Sequence, residues 1–100
     1  MKKLTRTDVN QLIASGNFLN FQDADLSNLD LSKLNLSEAN LSGSNLSHSN
    51  LLGANLMCSH LECSNLRGAN LSGADLSHSN LTGANLENAL GVDMTLVFKY

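Results

Sequence analysis

Proline and tryptophan are absent from this chain of 100 residues, and it holds only four aromatic residues, two cysteines and 15 charged groups. The scarcity of aromatics and the weight of Leu (21), Asn (14) and Ser (13) point to a repeat rather than an ordinary mixed core. No apolar run approaches the roughly 20 residues of a membrane span, so none is expected. Met1-Lys2-Lys3 has the charge to open a signal peptide, but Thr5, Arg6, Thr7, Asp8 and Asn10 stand where an apolar segment is required. A cytoplasmic address follows, in which Cys58 and Cys63 are reduced thiols rather than a disulfide framework. The net charge of −3 leaves no basic footprint for nucleic acid, and the arm Lys2, Lys3, Arg6 is too small to supply one. No phosphate loop, nucleotide fingerprint or Ser-His-Asp arrangement occurs, so neither an enzyme nor a bound cofactor is expected.

What the chain does have is a period. Leu stands at every fifth position from Leu26 to Leu86, and Phe21 extends the register one step back, giving fourteen units. The residue before each central position is Asn or Asp, with His60 as the single exception. Two before it the residue is Ala or Ser in most units, Leu29 and Leu34 being larger. Five fits neither the 3.6-residue period of a helix nor the alternation of a straight strand. In an extended step, the small residue and the central Leu face inward while the Asn or Asp between them faces out. The remaining two residues turn a corner, and the second of them is Gly43, Gly53, Gly68, Gly73 or Gly83 in five units, with Asn28 and Asn88 elsewhere. Positive φ at the third position of a type II turn calls for such residues. The chain therefore reads as a coil with a Leu-filled axis.

Units such as Ala54-Asn55-Leu56, Ala69-Asn70-Leu71, Ala74-Asp75-Leu76 and Ala84-Asn85-Leu86 resemble those of the pentapeptide-repeat proteins. The resemblance covers residues 19–90. It implies an all-β solenoid, a right-handed quadrilateral β-helix with four units per turn, here about 3.5 coils with residues 20 apart stacked in ladders. At a spacing of about 4.8 Å the tower is roughly 17 Å tall.

Both ends of such a tower need closure. Residues 1–18 predict a short capping helix, with Thr7 as N-cap, Val9, Leu12 and Ile13 on one face and Gly16 as the stop. After Ala89 the register fails at Gly91, and residues 91–100 form the most apolar and aromatic stretch. In the family such segments often form homodimers, which makes Leu96, Val97, Phe98 and Tyr100 the expected dimer contacts; simple capping of the last coil is the alternative.

Cys58, His60 and Cys63 imitate a zinc motif, but the cysteines occupy successive corners and four convergent ligands are lacking. Stacking places Glu38, Cys58 and His78 in one outward column, nucleophile-like in composition yet without a pocket or an oxyanion donor. His48 is a corner residue in the Asn28–Gly68 column, and Arg67 and Glu87 share a column in which they are placed to pair. The expected metal, cofactor and catalytic residue sets are empty. A protein–protein interaction or scaffold module is the leading function, its partner unspecified.

The alternative comes from the resemblance: some pentapeptide-repeat proteins mimic B-form DNA, bind type II topoisomerases such as DNA gyrase and confer quinolone resistance. Residues 21–100 carry eight acidic and three basic residues, net −5, against about ten charges on 17 Å of duplex. The run from Leu26 to Leu86 also lacks the loop insertions that many such members carry.

Overall fold

The computed structural model describes residues 2–92, and these form one helix followed by a continuous coil of five-residue units. Parallel single-residue bridges join positions 20 apart, from Asn20↔Asn40 through Asn65↔Asn85 to Asn70↔Leu90, so four units complete each coil. No run of bridges lengthens into a strand among the described residues, because a corner follows each bridging residue within three positions. The ladder is nevertheless complete: Leu56 N–H donates to the Asp75 carbonyl at 2.8 Å and Asn55 N–H to the Leu34 carbonyl at 2.9 Å, a pattern that repeats up the tower.

The central residues Phe21 and Leu26 to Leu76 are all 2% exposed or less and make the core, with Ala24, Ala39, Ala54 and Ala69 packed between them. Leu81 and Leu86 in the last units are half-buried. Leu29 and Leu34 fall in the first coil, where they pack partly buried against the core beside Ile13 and Leu19.

Thirteen of the fourteen corners are closed by a bond to the carbonyl of the central residue from the N–H three residues later, as in Ala54 to Leu51 at 3.0 Å; the corner between Leu26 and Leu29 is the exception. All fourteen corner residues have positive φ, yet only five are glycine. Asp23, Asn28, Lys33, Glu38, His48, Cys58, Cys63, His78 and Asn88 hold φ between 57° and 62°. The corner thus demands the left-handed region but not glycine: Asn and Asp adopt it readily, and the ladder and turn bonds offset a cost of roughly 1–2 kcal/mol at corners such as Lys33, Glu38, His48 and Cys58.

The helix α1 spans Arg6–Ala14 and begins two residues earlier than the sequence reading places it. Thr5, not Thr7, is the N-cap. Its hydroxyl accepts from Asp8 N–H at 3.1 Å, and the Asp8 carboxylate accepts from Thr5 N–H at 2.9 Å, a reciprocal capping box that Thr7 and Asn10 cannot match. Val9 is 1% exposed and Ile13 packs on the core, whereas Leu12 is 42% exposed and does not share their face.

Residues 2–4 add a bridge beneath the first coil, Lys3↔Asp25, with Leu4 N–H donating to the Asp25 carbonyl and Asp25 N–H to the Lys2 carbonyl. Leu4, 7% exposed, takes the central position under Leu26. At the other end, bridging runs to Leu90, past the point where the Leu pattern stops. The chain bends at Gly91, whose φ of 71° and close approach to Ser72 Cα leave no room for a Cβ, and Val92 after it packs partly buried against the core. The proposed dimer contacts Leu96, Val97, Phe98 and Tyr100 lie outside the described residues.

Candidate functional site

The outward Asn and Asp residues look like a binding array, but their oxygens are committed locally. In thirteen of the fourteen units the side-chain oxygen accepts the N–H of the residue two ahead at 3.0–3.1 Å. This Asx turn starts the corner and explains the recurrence of the residue type without a ligand.

The exception is His60. It has no carboxyl or amide oxygen to offer, and its Nδ1 lies 3.4 Å from Glu62 Oε1 instead. Oε1 is buried with no hydrogen-bond partner among the described residues, while Oε2 accepts from the Ser42 hydroxyl at 3.1 Å. At 3.4 Å between two groups that are both partly solvated, the His60–Glu62 contact is a weak one. Replacing His60 by Asn restores the Asx bond and is expected to stabilise the fold by about 1 kcal/mol. The midpoint of a urea melt reads this directly, and an unchanged or lowered midpoint refutes the assignment of these bonds as structural.

Asp replaces Asn at positions 25, 30 and 75. Two of the three face cations from the N-terminal segment: Lys3 Nζ is 3.6 Å from Asp25, and the Arg6 guanidinium is 3.9 Å from Asp30. Lys3 also donates to the Ser27 carbonyl and Arg6 to the Asp30 carbonyl, so both side chains stand in for N–H donors that a lower coil would provide. All three carboxyls are held below the usual carboxylate range, first by the hydroxyl and then by the N–H of Ser27, Ser32 or Ser77.

A carboxyl depressed in the folded state contributes stability that is present above its unfolded value, near about 3.9, and is lost as pH falls through the folded value. The protein is therefore expected to lose stability below about pH 4. Asp75→Asn keeps the accepting oxygen, so its melting midpoint should fall less between pH 5 and pH 2.5 than that of the parent. Equal slopes would exclude Asp75 from the acid response.

Cys58 and Cys63 are free and exposed, as are Glu38, His48 and His78. Stacking brings Cys58 beside His78, with Cys58 N–H donating to the Ser77 carbonyl at 3.0 Å, and beside Glu38, which bonds Met57 in the same way at 2.9 Å. No three His, Cys, Asp or Glu side chains converge on a common point among the described residues. His48 lies over Gly68, its Cε1 occupying the space a Cβ there would need at 2.6 Å. Arg67 and Glu87 approach to 3.9 Å, an exposed pair worth about 0–1 kcal/mol.

Among the described residues, two concavities border α1. The larger, about 370 Å³, is lined by Ile13, Gly16, Asn17, Phe18, Leu19, Asn35, Ser37 and Glu38. A smaller one of about 240 Å³ involves Lys2, Leu4, Asp8, Gln11 and Leu12. The sequence reading passes over the larger one, because its walls come from the helix exit and the first coil, 20 residues apart along the chain. Phe18, 68% exposed and off the five-residue register, was its one visible signal.

The family model for pentapeptide repeats matches eight copies within residues 20–57, 35–73 and 59–90. Among solved structures, the chain is similar to HetL of Nostoc sp. strain PCC 7120, a pentapeptide-repeat protein involved in heterocyst differentiation regulation. That match has 34% identity over 71% of this chain and 31% of HetL, with a TM-score of 0.55. It is similar to Rfr23 of Cyanothece 51142 at 38% identity over 73% of this chain and 57% of Rfr23, with a TM-score of 0.53. A further match is QnrB1, a plasmid-mediated fluoroquinolone resistance protein, at 26% identity over 76% of this chain and 34% of that one, with a TM-score of 0.49. The chain thus spans about a third of HetL and somewhat over half of Rfr23. No curated protein sequence matches it. No helix among the described residues is long and apolar enough to cross a membrane.

Proposed function

The chain belongs to the pentapeptide-repeat family, and from that premise we propose that it is a non-catalytic interaction or scaffold module, a right-handed quadrilateral β-helix acting in the cytoplasm as a homodimer. The observation that carries this reading is the commitment of the Asx oxygens to their own corners. With them the polar surface becomes part of a rigid frame, and the residue types left free to vary are those at the corners and turns. A rigid frame with variable side chains at fixed spacing suits recognition of a protein surface, because little conformational entropy is lost on binding. HetL is involved in heterocyst differentiation regulation, and a regulatory contact of that kind is what such a surface serves. Free, exposed Cys58 and Cys63 accord with a reducing compartment. Leu96, Val97, Phe98 and Tyr100 are the proposed dimer contacts.

The DNA-mimic alternative requires an unbalanced acidic surface. Asp25, Asp30 and Glu87 each stand within 4.0 Å of Lys3, Arg6 or Arg67, which offsets three carboxylates and weighs against it.

Affinity capture with the intact purified chain, repeated with surface variants on each wall and with DNA gyrase supplied directly, tests the reading. A protein partner lost on altering one wall supports it. Capture of gyrase with inhibition of supercoiling would replace it with the alternative, and sedimentation as a monomer across micromolar concentrations would remove the homodimer.

A further inference from the structure

The underside of the first coil has four walls, and they are closed unequally. At Asn40, N–H donates to Leu19 at 2.9 Å and the carbonyl accepts from Phe21 at 2.7 Å. At Asp25 the segment Lys2–Leu4 supplies both partners, at 2.7 Å and 2.9 Å. At Asp30 the Arg6 guanidinium covers the carbonyl. At Asn35 neither the N–H nor the carbonyl has a backbone partner among the described residues, and the Ser37 carbonyl next to it has none either. This open edge borders the 370 Å³ groove, whose apolar lining is Ile13, Phe18 and Leu19 and whose one charge is Glu38.

We propose that this groove docks an extended peptide of a partner protein, with a basic residue followed by an apolar one, pairing as an added strand with Asn35. The inference deepens the reading of the chain as an interaction module and rests on it. The molecule contains its own template at the Asp25 wall, where Lys2-Lys3-Leu4 lies extended in the equivalent position. There the residue before the basic one accepts from the wall N–H, and the apolar residue donates to the wall carbonyl. The Lys3 ammonium reaches the Ser27 carbonyl, and Ser37 is the equivalent of Ser27 two units on. At the Asn35 wall a basic side chain meets the Ser37 carbonyl and the Glu38 carboxylate, and the apolar side chain lies on Ile13, Phe18 and Leu19. Main-chain bonds hold such a peptide, while the apolar contact and the charge select it. The groove volume is within the range of about 300–1,000 Å³ in which small ligands are held.

The test is a nuclear magnetic resonance titration of the intact chain with a capped peptide bearing Lys-Lys-Leu at its centre and two Ser on each side. Saturable amide shifts should centre on residues 16–19 and 35–38, with slowed hydrogen exchange at Asn35. Glu38→Lys should weaken binding about three- to tenfold; Lys33 holds the same kind of corner at φ 61°, so the variant is expected to fold. Phe18→Ala, at an exposed site, should also weaken it, and a Lys-Lys-Asp peptide should bind less well than the parent. Shifts centred elsewhere, an unprotected Asn35 amide, or indifference to both variants would overturn the proposal. So would concentration-dependent shifts of these amides without peptide, which mark a second copy as the occupant. A partner captured equally by the parent and a Glu38→Lys, Phe18→Ala double variant would overturn the groove and leave the interaction reading standing.

Discussion

Leu56→Ala is expected to destabilise the fold by about 2–5 kcal/mol, against about 1 kcal/mol for Asn55→Ala next to it. Leu56 is 0% exposed at mid-tower, with Leu36 below it at 1% and Leu76 above it at 2%. Its side chain therefore has neighbours on the axis in both directions, and neither coil can close on the space it vacates. The ladder bonds on each side, Leu36 N–H to Asn55 and Leu56 N–H to Asp75, both 2.8 Å, fix the coil spacing and resist collapse. Asn55 is outward and half-buried, and loses only the Asx bond to Met57 N–H at 3.0 Å. Guanidinium melts of the three proteins decide the matter. Equal losses at 55 and 56 would mean that the Leu column does not carry the stability of the tower.

The period and the inward column were legible in the sequence because one residue type at one position does one job in every unit. Leu at each fifth place has no role but the axis, and Asn or Asp before it has no role but the corner. The corners were legible only in part. Five glycines announce a left-handed corner, but Lys33, Glu38, His48 and Cys58 adopt it without any signal of their own. The backbone there is imposed by the coils above and below, and local preference is overridden. The ends were hardest. The capping box Thr5-x-x-Asp8 was present to be read, whereas the seating of Lys2–Leu4 beneath Asp25 follows a spacing of 22 rather than 20, with the helix intervening. Arg6 and Lys3 cover carbonyls of the first coil through side-chain length, a relation with no period. The open wall at Asn35 was invisible for the same reason, since it is defined by what the N-terminal segment fails to reach.

Gly73→Val is expected to cost about 2 kcal/mol, and Gly73→Asn no more than about 0.5 kcal/mol. The site separates conformation from crowding. Among the described residues a Cβ at Gly73 meets nothing nearer than Gly53 Cα and N, each at 3.8 Å, so the strain a Cβ brings there comes from φ, which is 69°. Asn28 and Asn88 already occupy such corners at 57° and 60°, and Asn tolerates the left-handed region because its short polar side chain bonds locally. Val does not, since two branches on Cβ press against the backbone there. Gly91 supplies the contrast. Its φ of 71° is nearly the same, but a Cβ would stand 2.5 Å from Ser72 Cα and 2.7 Å from Ser72 N, so both space and conformation forbid a side chain. Alanine should therefore be tolerated better at 73 than at 91, where it would detach the unit that ends at Leu90. Denaturant melts of Gly73→Val, Gly73→Asn and Gly73→Ala, with amide exchange at Leu71 and Leu90 for Gly91→Ala, read these effects separately. If Val and Asn at 73 prove equal, the corner does not require positive φ and the turn assignment fails at every unit together.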